Sequence, residues 1–274
     1  MTVRFDDEAG ARAAPAALGA GTKAAGDHSL LWRLLSIALF CGVWEIAGRI
    51  QINYAFPSFS ETAMAFVSMI ADGSLPRAYL STLQPLVIGV VASAVIGIGL
   101  GVLMGLRPGA EWLGAPVFIV LQAAPVAALI PLVTFVYGIG LVAKSLSVML
   151  LALPVIVLNC YKAVRNVNPS LVDMCRSFQG TRVQQIAKIV IPDASPVIFA
   201  GLRLGVAAGF IGVVLAELLI TPTGIGDLIT YHRAVADYPE MYAAIASIIL
   251  FSALTLAALQ RLEIVLFRPE TKKA

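Results

Sequence analysis

Lys144, Arg203 and Glu217 are ionisable side chains that fall inside long apolar stretches of this 274-residue sequence. A charge near the middle of a bilayer costs at least about 2.5–3.5 kcal/mol, so each needs a partner, a cavity or a route to water. Arg203 and Glu217 share one stretch but stand about 21 Å apart on a helix rising ~1.5 Å per residue, so they cannot pair with each other. Glu217 lies near the outer end of its stretch and Lys144 near the outer start of another, which makes these two the expected ion pair; Arg203 needs a separate partner. A second polar set surrounds three prolines, Pro116, Pro125 and Pro131, with Gln122 before the middle one and Tyr137 after the last. An interior proline frees backbone carbonyls, which a membrane tolerates only where protein or a watery cavity satisfies them. Gln122, Pro125, Tyr137 and Glu217 are therefore the candidates to border a polar pathway, Glu217 more as an ion-pair member than as a ligand for solute.

Other chemistry is missing from the pattern. No G-x-x-x-x-G-K-[ST] stretch occurs to cradle nucleotide phosphates, and Gly97-Ile98-Gly99 and Gly224-Ile225-Gly226 are lone short matches without weight. His28 and His232 have no second ligand at metal spacing, and Cys41, Cys160 and Cys175 read as free thiols. No nucleophile stands beside a base. No cofactor or metal is expected in this chain, and a net charge of +3 is too small to argue for nucleic acid.

The composition, 59% hydrophobic and 13% charged against about 25% charged in ordinary globular domains, places these residues in a lipid bilayer. Six apolar runs approach the roughly twenty residues that cross it: about 30–48, 80–106, 112–137, 141–161, 195–220 and 241–258. They define an all-α membrane domain over 29–266, between a disordered cytoplasmic tail at 1–28 and a short one at 267–274. In the first span Glu45 sits near the far end beside Trp44, its carboxylate reaching water. Residues 60–70 predict a short amphipathic helix on the outer surface, N-capped by Ser60, with Ala63, Phe66, Val67 and Ile70 as its apolar face. The second span carries small residues four apart, Gly89, Ser93, Gly97, Gly101 and Gly105, and the fifth repeats this at Gly201, Gly205 and Gly209. Such ladders let helix backbones approach closely. With both ends inside, fourteen Lys and Arg fall in the inner segments and four in the outer ones, so the polar segment 166–194 faces the cytoplasm.

That segment reads DMCRSFQGTRVQQIAKIVIP from Asp173 to Pro192. Val183, Ile186, Ile189 and Val190 recur at helical spacing opposite Arg182, Gln184, Gln185 and Lys188, and Pro192 is expected to end this short helix. The order of an acid, two small or apolar residues, a glycine and a final Ile-x-Leu-Pro resembles the cytoplasmic signature of permease subunits of ABC importers. Asp173 stands for the usual Glu, Met174 and Cys175 for two alanines, Ile191 for the Leu, and Gln179 for the glycine, with Gly180 one residue later expected to supply a positive φ. Further motifs fall in the order of the nitrate/sulfonate/taurine branch: Ala55-Phe56-Pro57-Ser58, Ala71-Asp72-Gly73, Pro125 to Pro131, Tyr137-Gly138-Ile139-Gly140, Gly201-Leu202-Arg203 and Gly224-Ile225-Gly226.

The resemblance implies a type I importer permease in a bacterial inner membrane, paired with a second permease copy, most simply its own. A dimer of ABC ATPases, which bind the ATP and Mg²⁺, docks below, and a solute-binding protein delivers a sulfonate, taurine, nitrate or related anion from above. Asp173, Arg176, Gly180 and Pro192 are then the residues that couple to the ATPase. An ion-driven secondary transporter and a non-transporting sensor subunit are the alternatives.

Overall fold

A computed structural model describes residues 25–50, 53–220 and 222–267. The tail assignments at 1–24 and 268–274 lie outside the described residues. Within them every regular element is helical: α1 (Ala25–Arg49), α2 (Phe59–Ala71), α3 (Ser74–Leu106), α4 (Pro108–Ala123), α5 (Val126–Tyr137), α6 (Leu141–Arg165), α7 (Pro169–Ser177), α8 (Arg182–Gln185), a π-helical turn (Ile186–Val190), α9 (Ile191–Leu219), α10 (Ile225–Ala234) and α11 (Tyr238–Phe267). Helix α1 starts at Ala25, so the expected disordered tail does not reach residue 28.

The glycine ladders set the helix packing. On α3, an added Cβ at Gly89, Gly97, Gly101 or Gly105 would meet Val148, Ile156, Cys160 or Val164 of α6, so both numbers rise together and the two helices run parallel. On α9, Gly201, Gly205 and Gly212 meet Asn159, Ile156 and Ser147 of α6, so one number falls as the other rises and this pair is antiparallel. Helix α6 is thus gripped from both sides by hydrogen-only surfaces, and Ile156 and Val157 are fully buried. Helix α11 returns antiparallel to α9, with Phe251 against Phe210 at 6.1 Å between ring centroids and Glu263 near Arg203.

Because α3 and α6 run the same way, the chain between them must travel back. It does so as two helices rather than the single crossing expected for 112–137: α4 and α5 meet at a 100° bend. The break falls where Pro125 forces its predecessor out of the helical region, Ala124 lying at φ −66°, ψ 140°. Pro116 and Pro131 remain inside their helices. Helix α4 starts near the end of α6, where Glu111 Oε1 accepts from the Tyr161 hydroxyl at 2.5 Å, and α5 buries Val126 and Ile130 against Ala216 of α9. Among the described residues four helices are long and apolar enough to cross a membrane, α3, α6, the run ending in α9, and α11, and five if the bent pair counts as one.

The outer surface segment differs from its sequence reading in register. Ser58, not Ser60, caps α2: its side chain accepts from Glu61 N while Glu61 Oε2 accepts from Ser58 N at 2.8 Å, a reciprocal box. The helix then buries Thr62, Ala65 and Met69 and leaves Val67 and Ile70 exposed. Glu45 is part of the same arrangement and does not simply reach water: it accepts from the Ser60 N–H at 2.9 Å, the Ser60 hydroxyl at 3.0 Å and Arg49 at 2.6 Å. A carboxylate at that helix N-terminus is favoured by the orphan N–H groups and the helix dipole.

Candidate functional site

The α6–α9 glycine register has one more rung. It places Lys144 Nζ 2.8 Å from Glu217 Oε1, with side chains 5% and 0% exposed. The ammonium donates its other two hydrogens to Thr223 O at 3.0 Å and Thr223 Oγ1 at 2.9 Å. Glu217 Oε2 accepts from Gly226 N at 3.1 Å and lies 2.9 Å from the Thr82 hydroxyl. Thr82 in turn accepts from Ile225 N at 3.0 Å, and its own proton goes either to Glu217 or to Ala78 O. Every donor of the ammonium is used, so this pair meets the condition under which a buried ion pair is tolerated. Glycine is required alongside: a Cβ at Gly224, whose φ is +96°, would overlap the Glu217 carboxylate, and one at Gly226 would overlap Glu217 Cβ.

Burial removes Glu217 from the pathway candidates, correcting the expectation that it borders a cavity. A carboxylate enclosed by Thr82, Lys144 and Gly226 has no face left for solute. The other three are accessible on this chain: Gln122 and Pro125 are exposed at the α4–α5 bend, and Tyr137 is 60% exposed at the end of α5. Arg203 finds Glu263 of α11 at 3.4 Å, half-way out of the packed interior. Sequence reasoning missed Thr82, Thr223 and Glu263; the Gly-Ile-Gly after Glu217, read as a phosphate-loop match without weight and as a family motif, was the available signal of a close approach to Glu217.

The other candidate site is the polar segment. Asn168 caps α7 by accepting from Ser170 N, with Pro169 at the first helical position. Asp173 and Arg176 are exposed and 3.1 Å apart on this helix. Its end is a Schellman turn, Gly180 N donating to Cys175 O and Gln179 N to Arg176 O, both at 2.9 Å. The left-handed residue is Gln179, at φ +58°, and not Gly180 as expected. Gly180 is needed for a different reason: a Cβ there would collide with Cys175 Sγ. Gln179→Gly is accordingly expected to stabilise the turn by about 1 kcal/mol, read as slower hydrogen exchange at the Gly180 amide; faster exchange would contradict the assignment.

Thr181 then caps α8 in a reciprocal box with Gln184. Pro192 does not end this helix. The chain passes through the π turn, where Ile191 N bonds Ile186 O, directly into α9. One extra residue in that turn absorbs the hydrogen bond that Pro192 cannot donate. Val183, placed on the apolar face by spacing, is exposed, as are Met174 and Phe178, the last 82%. Segment α7–α8 thus presents apolar side chains among Arg176, Arg182 and Lys188 on an uncovered surface.

Four likenesses bear on these sites. The family model described as "Binding-protein-dependent transport system inner membrane component" matches residues 93–265, which include α6, α9, α7–α8 and the Lys144–Glu217 pair. The chain is 26% identical over 232 residues to the putative aliphatic sulfonates transport permease protein SsuC of Bacillus subtilis, covering 84% of each. It is 29% identical over 233 residues, 84% of this chain and 92% of the other, to the formylaminopyrimidine transport permease protein ThiX of Halalkalibacterium halodurans. In fold it is similar to a chain of the inward-facing MetNI methionine ABC transporter, with a TM-score of 0.60 at 20% identity over 70% of this chain and 95% of that one.

Proposed function

Since the chain belongs to the family of binding-protein-dependent transport system inner membrane components, we propose that it lines the solute pathway of an ABC importer by crossing the membrane six times. The crossings are α1, α3, the bent pair α4–α5, α6, α9 and α11, in alternating direction, with α7–α8 and both termini in the cytoplasm of a bacterial inner membrane. Family membership sets aside the ion-driven and sensor alternatives. ATP is hydrolysed by a separate ATPase subunit, which holds the nucleotide and Mg²⁺.

The observation that carries this reading is the exposed α7–α8 segment, joined to α6 by a short capped turn and running without a break into α9. An ATPase gripping that segment moves two packed transmembrane helices at once. Asp173, Arg176 and Gly180 are the coupling residues: Arg176 offers charge to the ATPase, and Gly180 closes the turn that presents Phe178. Pro192 marks the junction with α9. A second copy of this chain covers the uncovered face of α4–α5, where Trp112, Leu113 and Phe135 are the most exposed apolar side chains and which carries Gln122 and Pro125 at the bend and Tyr137 at its end. A solute-binding protein docks on the opposite, outer side. The solute is a small anion, with a sulfonate the first to try because SsuC carries that description along 84% of its length; ThiX, described for a formylaminopyrimidine, keeps neutral heterocycles as the second set.

Arg176→Glu in the reconstituted complex is the test. ATP hydrolysis is expected to continue while solute uptake falls at least about tenfold, the loss of one charge-assisted contact being worth about 1.5–3 kcal/mol. Gly180→Pro, which deletes the N–H that closes the Schellman turn, should behave alike. Normal uptake in both variants would reduce α7–α8 to a connector and overturn the reading.

A further inference from the structure

Helix α10 makes its hydrogen bonds to the core helices at its start. Its buried residues are Ile225 and Gly226; Leu228 and Ile229 pack part-buried against α2 and α11, and Tyr231 farther along is exposed. The backbone N–H groups of those two buried residues end on Thr82 of α3 and Glu217 of α9. Thr223, just before them, holds Lys144 of α6. One junction therefore ties the start of the outer helix to all three core helices.

The opposite end of the same path lies on the cytoplasmic side. From Arg182 to Leu219 the chain is one helical run of 38 residues, about 57 Å at ~1.5 Å per residue. Glu217 stands in its last turn and α8 forms its first. From Gly201 to Gly212 the run is packed on α6 by the glycine contacts, so over that stretch the two helices shift together. The run is interrupted by the π turn at Ile186–Val190, where the bond from Ile191 N to Ile186 O spans one residue more than in an α-helix.

We propose that Thr82, with Lys144 and Glu217, forms a latch that transmits the position of outer helix α10 through α9 to the π turn beside the coupling segment. Thr82 is a positioning residue in this device. Its single hydroxyl accepts from α10 and donates toward Glu217, so it joins α3 to the bond that Gly226 N already makes to Glu217 and stiffens the turn at 222–226 against α9. A load on α10 from outside then reaches the π turn as a shift of a rigid helix, and the π turn yields first. The proposal rests on the importer reading only in taking α8 as the ATPase-facing end.

Hydrogen exchange on the full permease–ATPase complex in lipid nanodiscs tests it without knowledge of the solute. Thr82→Val, which keeps the shape and removes both hydrogen bonds, is expected to speed exchange about tenfold in residues 225–234 and about threefold in 186–190, because local opening follows the bonds that restrain it. Thr82→Ser should restore both rates. If Thr82→Val fails to assemble, Glu217→Gln is expected to give the same two accelerations. Thr134→Val removes a hydroxyl that bonds only Ile130 O within α5 and should leave 186–190 unchanged. Acceleration confined to 225–234, or an equal acceleration at 186–190 in Thr134→Val, would overturn the latch. Because the readout needs no transport, a failure of the importer reading would show separately, as a chain that binds no ATPase.

Discussion

Glu217→Ala leaves little assembled protein. The substitution strands the Lys144 ammonium at a position where its side chain is 5% exposed, with only Thr223 for company. Removing one member of a buried pair costs about 3–5 kcal/mol, and the Gly226 N–H loses its acceptor as well, at about 1–3 kcal/mol for a group left unsatisfied, while the Thr82 hydroxyl falls back on Ala78 O. Against a total stability of only about 5–15 kcal/mol, that is enough to unfold a domain. The yield of monodisperse protein after detergent extraction and its thermal midpoint measure the effect. Glu217→Gln, which keeps an acceptor for Gly226 while losing the charge, should fall between the variant and the native protein. The reciprocal exchange, Lys144→Glu with Glu217→Lys, restores the attraction but points an ammonium at the Gly226 N–H. It should therefore recover less than half of the lost yield, although charge alone, the only quantity visible in the sequence, argues for full rescue. Full recovery by the exchange would mean that the bonds to Gly226 and Thr82 contribute nothing.

The second large effect belongs to the α3–α6 seam. A Cβ at Gly101 would stand 2.8 Å from Val157 O and 2.5 Å from Cys160 Cβ, and one at Gly89 would stand 2.7 Å from Ser145 O. Backbone carbonyls of a packed helix cannot rotate away as a side-chain tip can, so the helices must separate. Gly101→Leu is expected to cost more than the roughly 1–3 kcal/mol of ordinary overpacking, because the whole seam opens and not one pocket. Gly99 provides the comparison: it lies two residues away on the same helix with nothing within 4 Å of its added Cβ. Gly99→Leu should be extracted and assembled at native levels. Equal yields for the two variants would show that the ladder is not the packing surface.

What the sequence made legible were features with a period or a sign. Small residues at every fourth position announced close helix contacts, and those contacts then dictate that Lys144 meets Glu217, one rung beyond Gly212 and Ser147. Features decided by tertiary context stayed hidden. Three prolines in the third apolar run looked alike, yet only Pro125 breaks the chain, at a point where Val126 and Ile130 turn to pack on Ala216. Pro192 reads as a stop but follows a π turn that accommodates its missing N–H. Spacing gave α2 a helical period without its phase, which the Ser58–Glu61 box and the Glu45 contact set. In the α7 turn the glycine that the local geometry favours is displaced by one residue: Gln179 adopts the left-handed conformation that closes the turn, while Cys175 leaves residue 180 no room for a side chain. Glu217 was legible as the partner of Lys144 but not as an enclosed group: a charge inside an apolar run signals either a cavity or a satisfied pair, and only the positions of Thr82 and Gly226 distinguish them.

The claim that α4–α5 borders a pathway that opens and closes under ATPase control is tested most directly by substituted-cysteine labelling. Native Cys41, Cys160 and Cys175 are first replaced by serine or alanine, and single cysteines are introduced at Gln122, Tyr137 and Glu217 in the reconstituted permease–ATPase complex. Gln122→Cys and Tyr137→Cys are expected to react with a small water-soluble thiol reagent at rates that differ at least about threefold between the nucleotide-free and the ATP–vanadate-trapped complex, since a two-state pathway exposes its lining unequally. In the small fraction of Glu217→Cys that assembles without the carboxylate, the thiol should be protected in both states, because Thr82, Lys144 and Gly226 enclose the position. Equal reactivity of Gln122→Cys and Tyr137→Cys in the two states would contradict the account.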